Sequence, residues 1–450
     1  MNYDAVFIGS GHAANHGAFA LAAAGKKVAM VEQELPGGTC TNYGCDAKIA
    51  LDGPFEALQA FQNYDGVCTT GKSGIDWPAL RVFKKRETNE LYKILPEWCG
   101  KLGVELVMGR GRIAGPNAVA VGDRVLETRN IVICTGQRNR RIDVPGKELL
   151  RGSRDFLDNL DEMPRRLVFV GAGIISMEFA SMAVKLGAEV DVVEHFGRAL
   201  GMYPAAYVAR LVAKMEGEGV RFHWNEDVCG VEKTDGGLVV RTKNGLALAC
   251  DYALDATGRV ANFEDLGLEA LGIEASPRGI VVDDHLHTAV KNIYATGDVV
   301  CKTVPKLTPT AAFESEYVAR QILGETEPIR YPAVPNLVFT LPRIAQVGVG
   351  VDEAAKRPDF YRVVPFPFGS GIMNCMAKNE RDAEATFVVD REGYLAGAAV
   401  YGADAGYWID YLTLVLVQRL RAADLARMIP AFPTPTYAVW ATLCSVLKPL

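Results

Sequence analysis

Residues 4–14 read DAVFIGSGHAA, a short apolar run that breaks into glycines and continues as an alanine-rich segment. Gly9 permits a tight turn after a strand, Gly11 lets the backbone approach a diphosphate, and the small Ala14 allows a helix to pack closely on a sheet. The next strand ends at Glu32, whose carboxylate can accept a hydrogen bond from a ribose hydroxyl. The pattern predicts a βαβ unit that binds a dinucleotide; the alternative is a glycine-rich turn with no ligand.

The same layout returns later in the chain. Residues 168–176 read VFVGAGIIS, with Gly171 and Gly173 in the places of the two glycines. Glu194 follows Gly171 by 23 residues, the same offset as in the first copy. We therefore expect two dinucleotide-binding units and a hydride relay between two nucleotides. A carboxylate at Glu194 repels a 2′-phosphate and bonds a free 2′-hydroxyl, which favours NADH over NADPH, whereas Arg198 nearby favours the reverse.

Length and charge exclude several classes of function. A chain of 450 residues is expected to divide into two or three domains. Its 48 Lys and Arg against 54 Asp and Glu give a formal net charge of -6, which argues against a nucleic-acid partner. No window approaches the roughly 18 to 20 apolar residues of a membrane span, and no secretory signal precedes the first strand. We expect a cytoplasmic protein with no membrane association whose ten cysteines are mostly reduced.

A pair of cysteines lies between the two units. Residues 37–48 read GGTCTNYGCDAK, with Cys40 and Cys45 five positions apart. In an ideal helix such residues lie about 8.7 Å apart between Cα atoms, whereas a disulfide needs less than about 7 Å. If the pair closes, the segment must be distorted, which Gly38 and Gly44 permit. The alternative is two buried structural cysteines.

This motif resembles GGTCxNxGCxP(S/T)K, the signature of the pyridine nucleotide-disulfide oxidoreductases of the glutathione reductase and dihydrolipoamide dehydrogenase type. The resemblance covers the whole chain. It continues, in the order of the family, through segments at residues 133–136, 255–259, 292–298, 307–311 and 340–348. The resemblance implies an α/β fold with two Rossmann-like domains, one for FAD and one for NAD, and a C-terminal α+β interface domain.

The resemblance also implies a domain organisation and an oligomeric state. A split FAD domain is expected at residues 1–147 and 254–326, with an NADH domain at 148–253 inserted into it. Residues 327–450 are expected to form the interface domain of a homodimer.

The resemblance assigns a role to individual residues. The FAD site is expected to comprise Gly9, Gly11, Ala14, Glu32, Gly38, Thr39, Lys48, Thr135, Gly136, Asp298 and Thr308. The NADH site is expected to comprise Gly171, Gly173, Glu194 and Gly258. Lys48 and Glu178 would pair beside the flavin, Cys45 would face the flavin as a thiolate, and Cys40 would attack the acceptor. Electrons would pass from NADH to FAD, to the disulfide, and then to a small disulfide or thiol-type acceptor.

The chain departs from the family pattern at the lysine of the motif. Lys48 follows Cys45 by three residues instead of four, and the usual proline is absent. One residue corresponds to about 100° of helix rotation. Either the backbone absorbs a deletion or Lys48 points elsewhere, for example to the surface.

A second departure concerns the acid–base dyad of the family, a histidine and a glutamate in a segment like HPTxxE. Here residues 432–437 read FPTPTY, so Phe432 stands for the histidine and Tyr437 for the glutamate. The chain has no histidine after His287. Losing a positioned acid–base group typically slows a reaction about 10²- to 10⁴-fold, so an ordinary glutathione or lipoamide reductase is not expected.

Several activities therefore remain open at the acceptor site. They are reduction of a small disulfide with water or Tyr437 as the acid, reduction of a metal ion or quinone, C–S cleavage of the ketopropyl-coenzyme M carboxylase type, and redox sensing with little turnover. No bound metal is expected, because His12 and His16, four residues apart, are read as packing residues.

Overall fold

A computed structural model describes residues 2–449. The helices are α1 His12–Ala23, α2 Gly38–Tyr43, α3 Cys45–Gln62, α4 Trp77–Thr88, α5 Ile94–Leu102, α6 Ser153–Asp158, α7 Ile174–Lys185, α8 Ala205–Gly217, α9 Thr308–Ile322, α10 Val351–Ala355, α11 Ile372–Lys378, α12 Ala405–Val417, α13 Ala422–Leu425 and α14 Pro435–Val446. The strands are β1 Tyr3–Ile8, β2 Val28–Glu32, β3 Glu105–Met108, β4 Gly111–Gly115, β5 Ala118–Val121, β6 Arg124–Ile133, β7 Gln137–Asn139, β8 Arg166–Val170, β9 Glu189–Glu194, β10 Val220–Trp224, β11 Val228–Thr234, β12 Gly237–Thr242, β13 Ala247–Cys250, β14 Tyr252–Asp255, β15 Arg259–Ala261, β16 Ala275–Ser276, β17 Gly279–Ile280, β18 Ile293–Ala295, β19 Asn336–Val338, β20 Ile344–Gly348, β21 Tyr361–Phe366, β22 Glu384–Asp390 and β23 Leu395–Tyr401.

The first sheet is built around β1. Its parallel part has the order β3-β2-β1-β6-β18. The first half of β6 pairs with the antiparallel β5, which in turn pairs with β4. The apolar run of β1 is buried, as expected for a parallel strand covered on both faces. Helix α1 packs directly on α9, where a Cβ on Gly17 would lie 2.4 Å from the Ser315 carbonyl oxygen. Glycine at this position therefore permits the close helix contact.

The second sheet contains the repeated motif. Its parallel strands have the order β10-β9-β8-β14, and an antiparallel sheet of β11, β12 and β13 lies beside it. The predicted boundary between residues 253 and 254 falls inside β14, which pairs with β8 in this sheet. The chain returns to the first unit through β15, which pairs with β7.

The third sheet is antiparallel, with the order β19-β20-β23-β22-β21, and α12 and α14 contribute to its core. Trp408 of α12 stacks on Phe368 with ring centroids 4.3 Å apart, so this aromatic belongs to the protomer core. Its neighbour Tyr407 is exposed. The predicted fold class, two parallel dinucleotide-binding units and a C-terminal α+β domain, is confirmed. Within residues 2–449, no helix combines the length and the apolar character needed to cross a bilayer.

Candidate functional site

A large cavity lies at the carboxyl ends of β1, β2 and β6. It has a volume of about 840 Å³ and is lined by residues between Ile8 and Ala311. Ligands of parallel α/β sheets bind at this edge, and the volume lies in the range of cofactor sites. Of the predicted FAD residues, nine line the cavity: Gly9, Gly11, Glu32, Gly38, Thr39, Thr135, Gly136, Asp298 and Thr308. Ala14 and Lys48 lie outside its lining, and Ala14 is buried in α1.

Three glycines form the floor of this cavity. Gly9 has φ +115°, and a Cβ there would lie 2.5 Å from the Cys134 carbonyl oxygen. Gly38 has φ +71°, and its Cβ would lie 2.7 Å from the Cα of Gly11. Gly11 immediately precedes α1, so the N–H groups of the first helical turn, which have no partner within the helix, lie next to the cavity. These features fit the diphosphate of a dinucleotide such as FAD.

Glu32 is held in place at the end of β2. One carboxylate oxygen accepts hydrogen bonds from the N–H (3.2 Å) and the hydroxyl (2.7 Å) of Ser10, and the other accepts from the N–H of Glu34 (2.8 Å). The Ser10 hydroxyl also accepts from the N–H of Gly37, which ties the glycine turn to the cysteine segment. The sequence reading missed Ser10, although its place between the two glycines was visible.

The two cysteines lie on different helices. Cys40 is in α2 and Cys45 begins α3, with Gly44 between them at φ −143° and ψ −106°. The distortion expected from the five-residue spacing is therefore a break between helices at Gly44. Both thiols line the cavity, and both are free.

The environment of the pair makes the two thiols unequal. A hydrogen bond from Cys40 lowers the pKa of Cys45 to about 6; burial opposes this shift, while the Thr308 hydroxyl, 3.7 Å from the Cys45 Sγ, and the charge of Lys48 reinforce it. The same hydrogen bond and burial raise the pKa of Cys40. Once reduced, the pair consequently holds a thiolate on Cys45 and a proton on Cys40 near neutral pH.

Lys48 reaches Glu178 in spite of its altered spacing. The Nζ of Lys48 lies 3.1 Å from a carboxylate oxygen of Glu178, which is 3% exposed, and the same oxygen accepts the N–H of Phe339 at 2.8 Å. The Lys48 ammonium also lies 3.7 Å from the centroid of the Phe339 ring. The lysine is therefore directed into the protein and not to the surface. No sequence signal pointed to Phe339, which only the fold brings to this place.

The second nucleotide unit repeats the geometry of the first. Gly171 has φ +92°, and Glu194 accepts hydrogen bonds from the N–H groups of Ala172 and Phe196. Gly173 precedes α7, and Gly258, with φ +139°, follows β14. The guanidinium of Arg198 bonds the carbonyls of Ala199, Leu200 and Tyr203.

Phe432 and Tyr437 lie on the surface of the C-terminal domain, not in the cavity of their own chain. Phe432 is 66% exposed, and its ring meets that of Tyr437 edge to face at 5.3 Å. The Tyr437 ring lies 5.6 Å from Trp440, and Ile429 nearby in sequence is 97% exposed. Within one chain, this aromatic cluster is therefore separate from the cavity that contains the two cysteines.

The histidines of the described residues are engaged with other groups. His12 and His16 contact each other at 3.2 Å. Asp283, His285 and His287 bring potential ligand atoms within 4.8 Å of one another. However, one ring nitrogen of His285 bonds Asp284 and the other bonds a backbone carbonyl. This cluster therefore has no free imidazole nitrogen at His285.

Comparison with known sequences identifies the class. The sequence model described as pyridine nucleotide-disulphide oxidoreductase matches residues 3–315, and that of the dimerisation domain of the same proteins matches residues 334–442. The chain belongs to the pyridine nucleotide-disulphide oxidoreductase family. The predicted family and its dependence on FAD and a pyridine nucleotide are confirmed, and the dimerisation domain supports a homodimer.

Individual relatives match over nearly the whole chain. Dihydrolipoyl dehydrogenase of Chlamydia muridarum is 31% identical over 462 residues, covering 100% of this chain and 98% of the relative. Dihydrolipoyl dehydrogenase of Haloferax volcanii is 33% identical over 452 residues, covering 96% and 94%. Glutathione reductase of Burkholderia cepacia is 29% identical over 436 residues, covering 96% of each.

Solved structures give the same class. The HOCl-induced flavoprotein disulfide reductase RclA of Escherichia coli superposes with a TM-score of 0.88 at 25% identity, covering 99% of this chain and 100% of that one. A second structure of RclA, its Cu(II) complex, matches equally well.

Proposed function

We propose that this flavoprotein uses NADH to reduce a small disulfide or thiol-type acceptor through Cys45 and Cys40. The observation that carries the proposal is the unequal pair on the cavity wall, with a lowered pKa at Cys45 and a protonated Cys40 hydrogen-bonded to it. In such a pair, the Cys45 thiolate lies beside the cofactor and the Cys40 thiol is available for exchange with the acceptor.

The residues of the chain divide the work along the electron path. Bound FAD supplies the two-electron carrier between NADH and the disulfide. The three glycines and Glu32 hold the dinucleotide, while Lys48 and Glu178 orient each other beside the cysteines. Cys45, once a thiolate, accepts the proton of Cys40 across their hydrogen bond. The Cys40 thiolate then attacks one sulfur of the acceptor and releases the other as a thiolate.

The altered dyad restricts the acceptor. In the proposed homodimer, the C-terminal interface domain implied by the resemblance brings Phe432 and Tyr437 of one subunit towards the cysteines of the other. An aromatic ring at Phe432 donates no proton, and the hydroxyl of Tyr437 stands where the family has the orienting carboxylate, not where it has the proton-donating histidine. We therefore expect the best acceptors to be disulfides whose released thiols have a low pKa, since these leave without a proton.

The nucleotide preference follows from Glu194. Its carboxylate is fixed by two backbone N–H groups at the end of β9, where it can bond a ribose 2′-hydroxyl and repels a 2′-phosphate. The guanidinium of Arg198 donates to backbone carbonyls and lies 3.9 Å from the carboxylate of Asp352, which offsets its charge. We expect a higher kcat/KM with NADH than with NADPH.

The first experiment is an anaerobic titration of the purified protein with NADH, followed in the flavin spectrum. Two electrons should produce a long-wavelength charge-transfer band while the flavin remains largely oxidised. Cys45→Ser should lose the band, and Cys68→Ser, at an exposed cysteine distant in sequence from the motif, should retain it. Complete bleaching of the flavin by two electrons would show that the pair is not in the electron path.

A second candidate function is reduction of a metal ion or a quinone. The aromatic cluster at Phe432 and Tyr437 favours acceptors that need no positioned acid, and one solved structure of RclA is a Cu(II) complex. Turnover of an aromatic disulfide, of Cu(II) and of a quinone should be compared in wild type and Cys40→Ser. If wild type reduces the disulfide and Cys40→Ser loses that activity alone, the first function is supported. If wild type does not reduce the disulfide and Cys40→Ser still reduces the quinone or Cu(II), the second function is supported. Thioether cleavage would indicate the C–S cleaving activity, and inertness with every acceptor a sensor.

A further inference from the structure

A buried carboxylate lies on the same face of α3 as the reactive cysteine. Asp52 follows Cys45 by seven residues and Lys48 by four, a spacing that places all three side chains along one stripe of the helix. The side chain of Asp52 is 1% exposed. Its Oδ2 accepts a hydrogen bond from Arg343 at 2.7 Å, and its buried Oδ1 has no hydrogen-bond partner among residues 2–449.

Four charged groups surround Asp52. They are Arg343, Glu56, Lys48 and Glu178. Arg343 is itself buried and also bonds Glu56 at 2.7 Å. The centroid of the Phe339 ring lies 3.7 Å from the Lys48 ammonium and 4.7 Å from the Arg343 guanidinium. The charges under the cysteine pair therefore form one connected cluster that extends from Lys48 to Glu56.

An unpaired carboxylate oxygen in such a place favours protonation. Burial, with help from Glu178 and Glu56, raises the pKa of Asp52 to about 6, although Arg343 and Lys48 oppose the shift. A proton on Oδ1 would remove one charge from the interior and leave the hydrogen bond of Oδ2 with Arg343 intact. A new negative charge on Cys45, on the same helix face, adds to this tendency.

We propose that Asp52 takes up a proton from solvent when reduction converts Cys45 into a thiolate, so that the interior charge beneath the site stays nearly constant. This inference rests on the proposed function. Asp52 takes no part in the bond changes and acts only through its charge near Cys45, so it is a positioning residue. It is distinct from the missing acid–base dyad, because it lies in the same chain as the cysteines, on α3.

The protons of the reaction balance as follows. NADH gives a hydride, which is two electrons and one proton; the S–S bond breaks to give the Cys40 thiol and the Cys45 thiolate, and NAD⁺ is released without uptake from solvent. Protonation of Asp52 adds one solvent proton. Seven residues of helix separate the two groups by about 10.5 Å, over which a unit charge at an effective dielectric constant of 20 changes the proton affinity about tenfold. A tenfold change corresponds to a maximal uptake of about half a proton per subunit.

Proton uptake on reduction tests the proposal directly. The holoenzyme is reduced anaerobically with one equivalent of NADH in weak buffer containing a pH indicator, at several values between pH 5.5 and 8. Protonation of Cys45 contributes at the acidic end in every variant, so the measured quantity is the difference from Asp52→Asn. We expect wild type to take up about half a proton more than Asp52→Asn, with the largest difference between pH 6 and 7. Glu56→Gln is the matched control, because it removes a carboxylate from the same arginine at a side chain that is 38% exposed. It should keep the additional uptake, with the maximum moved to lower pH because the charge of Glu56 helps to raise the pKa of Asp52.

Two further readouts keep the proposal testable. If Asp52→Asn does not fold, the reduced-minus-oxidised infrared spectrum of the unmodified protein should contain the carbonyl band of a newly protonated carboxylic acid, and its absence would overturn the proposal. If NADH does not reduce the pair, the proposed function fails, and the same comparison is made with dithiothreitol. That reagent releases one proton per pair reduced to thiol and thiolate, and wild type should release about half a proton less than Asp52→Asn. Superimposable curves for the two proteins, with the pair reduced, contradict the role of Asp52.

Discussion

Replacement of Lys48 by methionine should raise the pKa of Cys45 from about 6 to about 7. The two residues are three apart on α3, so their Cβ atoms lie roughly 6 Å apart. At that distance a unit charge is worth about 2.8 kcal/mol at an effective dielectric constant of 20 and about 0.7 kcal/mol in water, which correspond to about 2.0 and 0.5 in pKa. Lys48 is 21% exposed and shares its charge with Glu178, so an intermediate value is expected.

The assay is the rate of iodoacetamide alkylation of the dithiothreitol-reduced protein against pH, together with the pH dependence of the charge-transfer band. Lys48→Met also leaves Glu178 buried without its cation, so stability should fall by about 3 kcal/mol. Lys185→Met is the matched control, because Lys185 pairs with Glu218 at the same 3.1 Å but has no contact with the cysteines. The control should keep the titration of Cys45 and lose less stability than Lys48→Met, because Glu218 retains its pair with Lys214 at 3.0 Å. An unchanged titration in Lys48→Met would refute the electrostatic argument.

Four other variants test separate parts of the molecule. Glu194→Gln should raise the ratio of NADPH to NADH kcat/KM at least several-fold, and an unchanged ratio would show that this carboxylate does not read the ribose. Gly17→Ala should destabilise the protein by about 1 to 3 kcal/mol in chemical denaturation, since its Cβ would meet a carbonyl oxygen of α9 at 2.4 Å. Gly100→Ala in α5, where a Cβ meets nothing within 4 Å, should stabilise by about 0.5 to 1 kcal/mol. Phe432→His combined with Tyr437→Glu should raise turnover of alkyl disulfides about 10- to 100-fold and that of aromatic disulfides much less; equal gains would contradict the proton argument.

The sequence predicted those features that local chemistry dictates. The glycine turns, the acids at the strand ends and the cysteine pair could be read because each requires a particular residue at a fixed offset from its neighbours. The break at Gly44 was foreseen as a distortion, but its position was not, because several glycines of the motif permit one. The direction of Lys48 was left open, since one residue of helix rotation decides it and Glu178 lies 130 positions away.

The charged cluster under the pair was not predicted. Asp52 gave a weak signal, its seven-residue spacing from Cys45 on a helix, which is also the spacing of any solvated stripe. Phe339 and Arg343 gave none, because they come from the start of the C-terminal domain and reach α3 only through the packing of that domain on the first. Burial distinguishes this carboxylate from a surface one, and burial at such a site depends on contacts distant in sequence.

The donor and acceptor halves of this site differ in their need for solvent protons. Transfer of two electrons from NADH to the disulfide ends in one thiol and one thiolate, so its bond changes need no solvent proton, and the uptake proposed at Asp52 only offsets the new charge. The residues proposed for that half come from a single chain. Transfer onward to a disulfide acceptor re-forms the Cys40–Cys45 bond and yields two small thiols, which consumes one solvent proton. The resemblance of residues 432–437 to the dyad segment of the family implies that Phe432 lies where that proton is supplied, so we expect only the second half to be affected. An acceptor that leaves as a stable thiolate, or that takes electrons alone, removes the requirement, so we expect the phenyl ring of Phe432 to favour such acceptors.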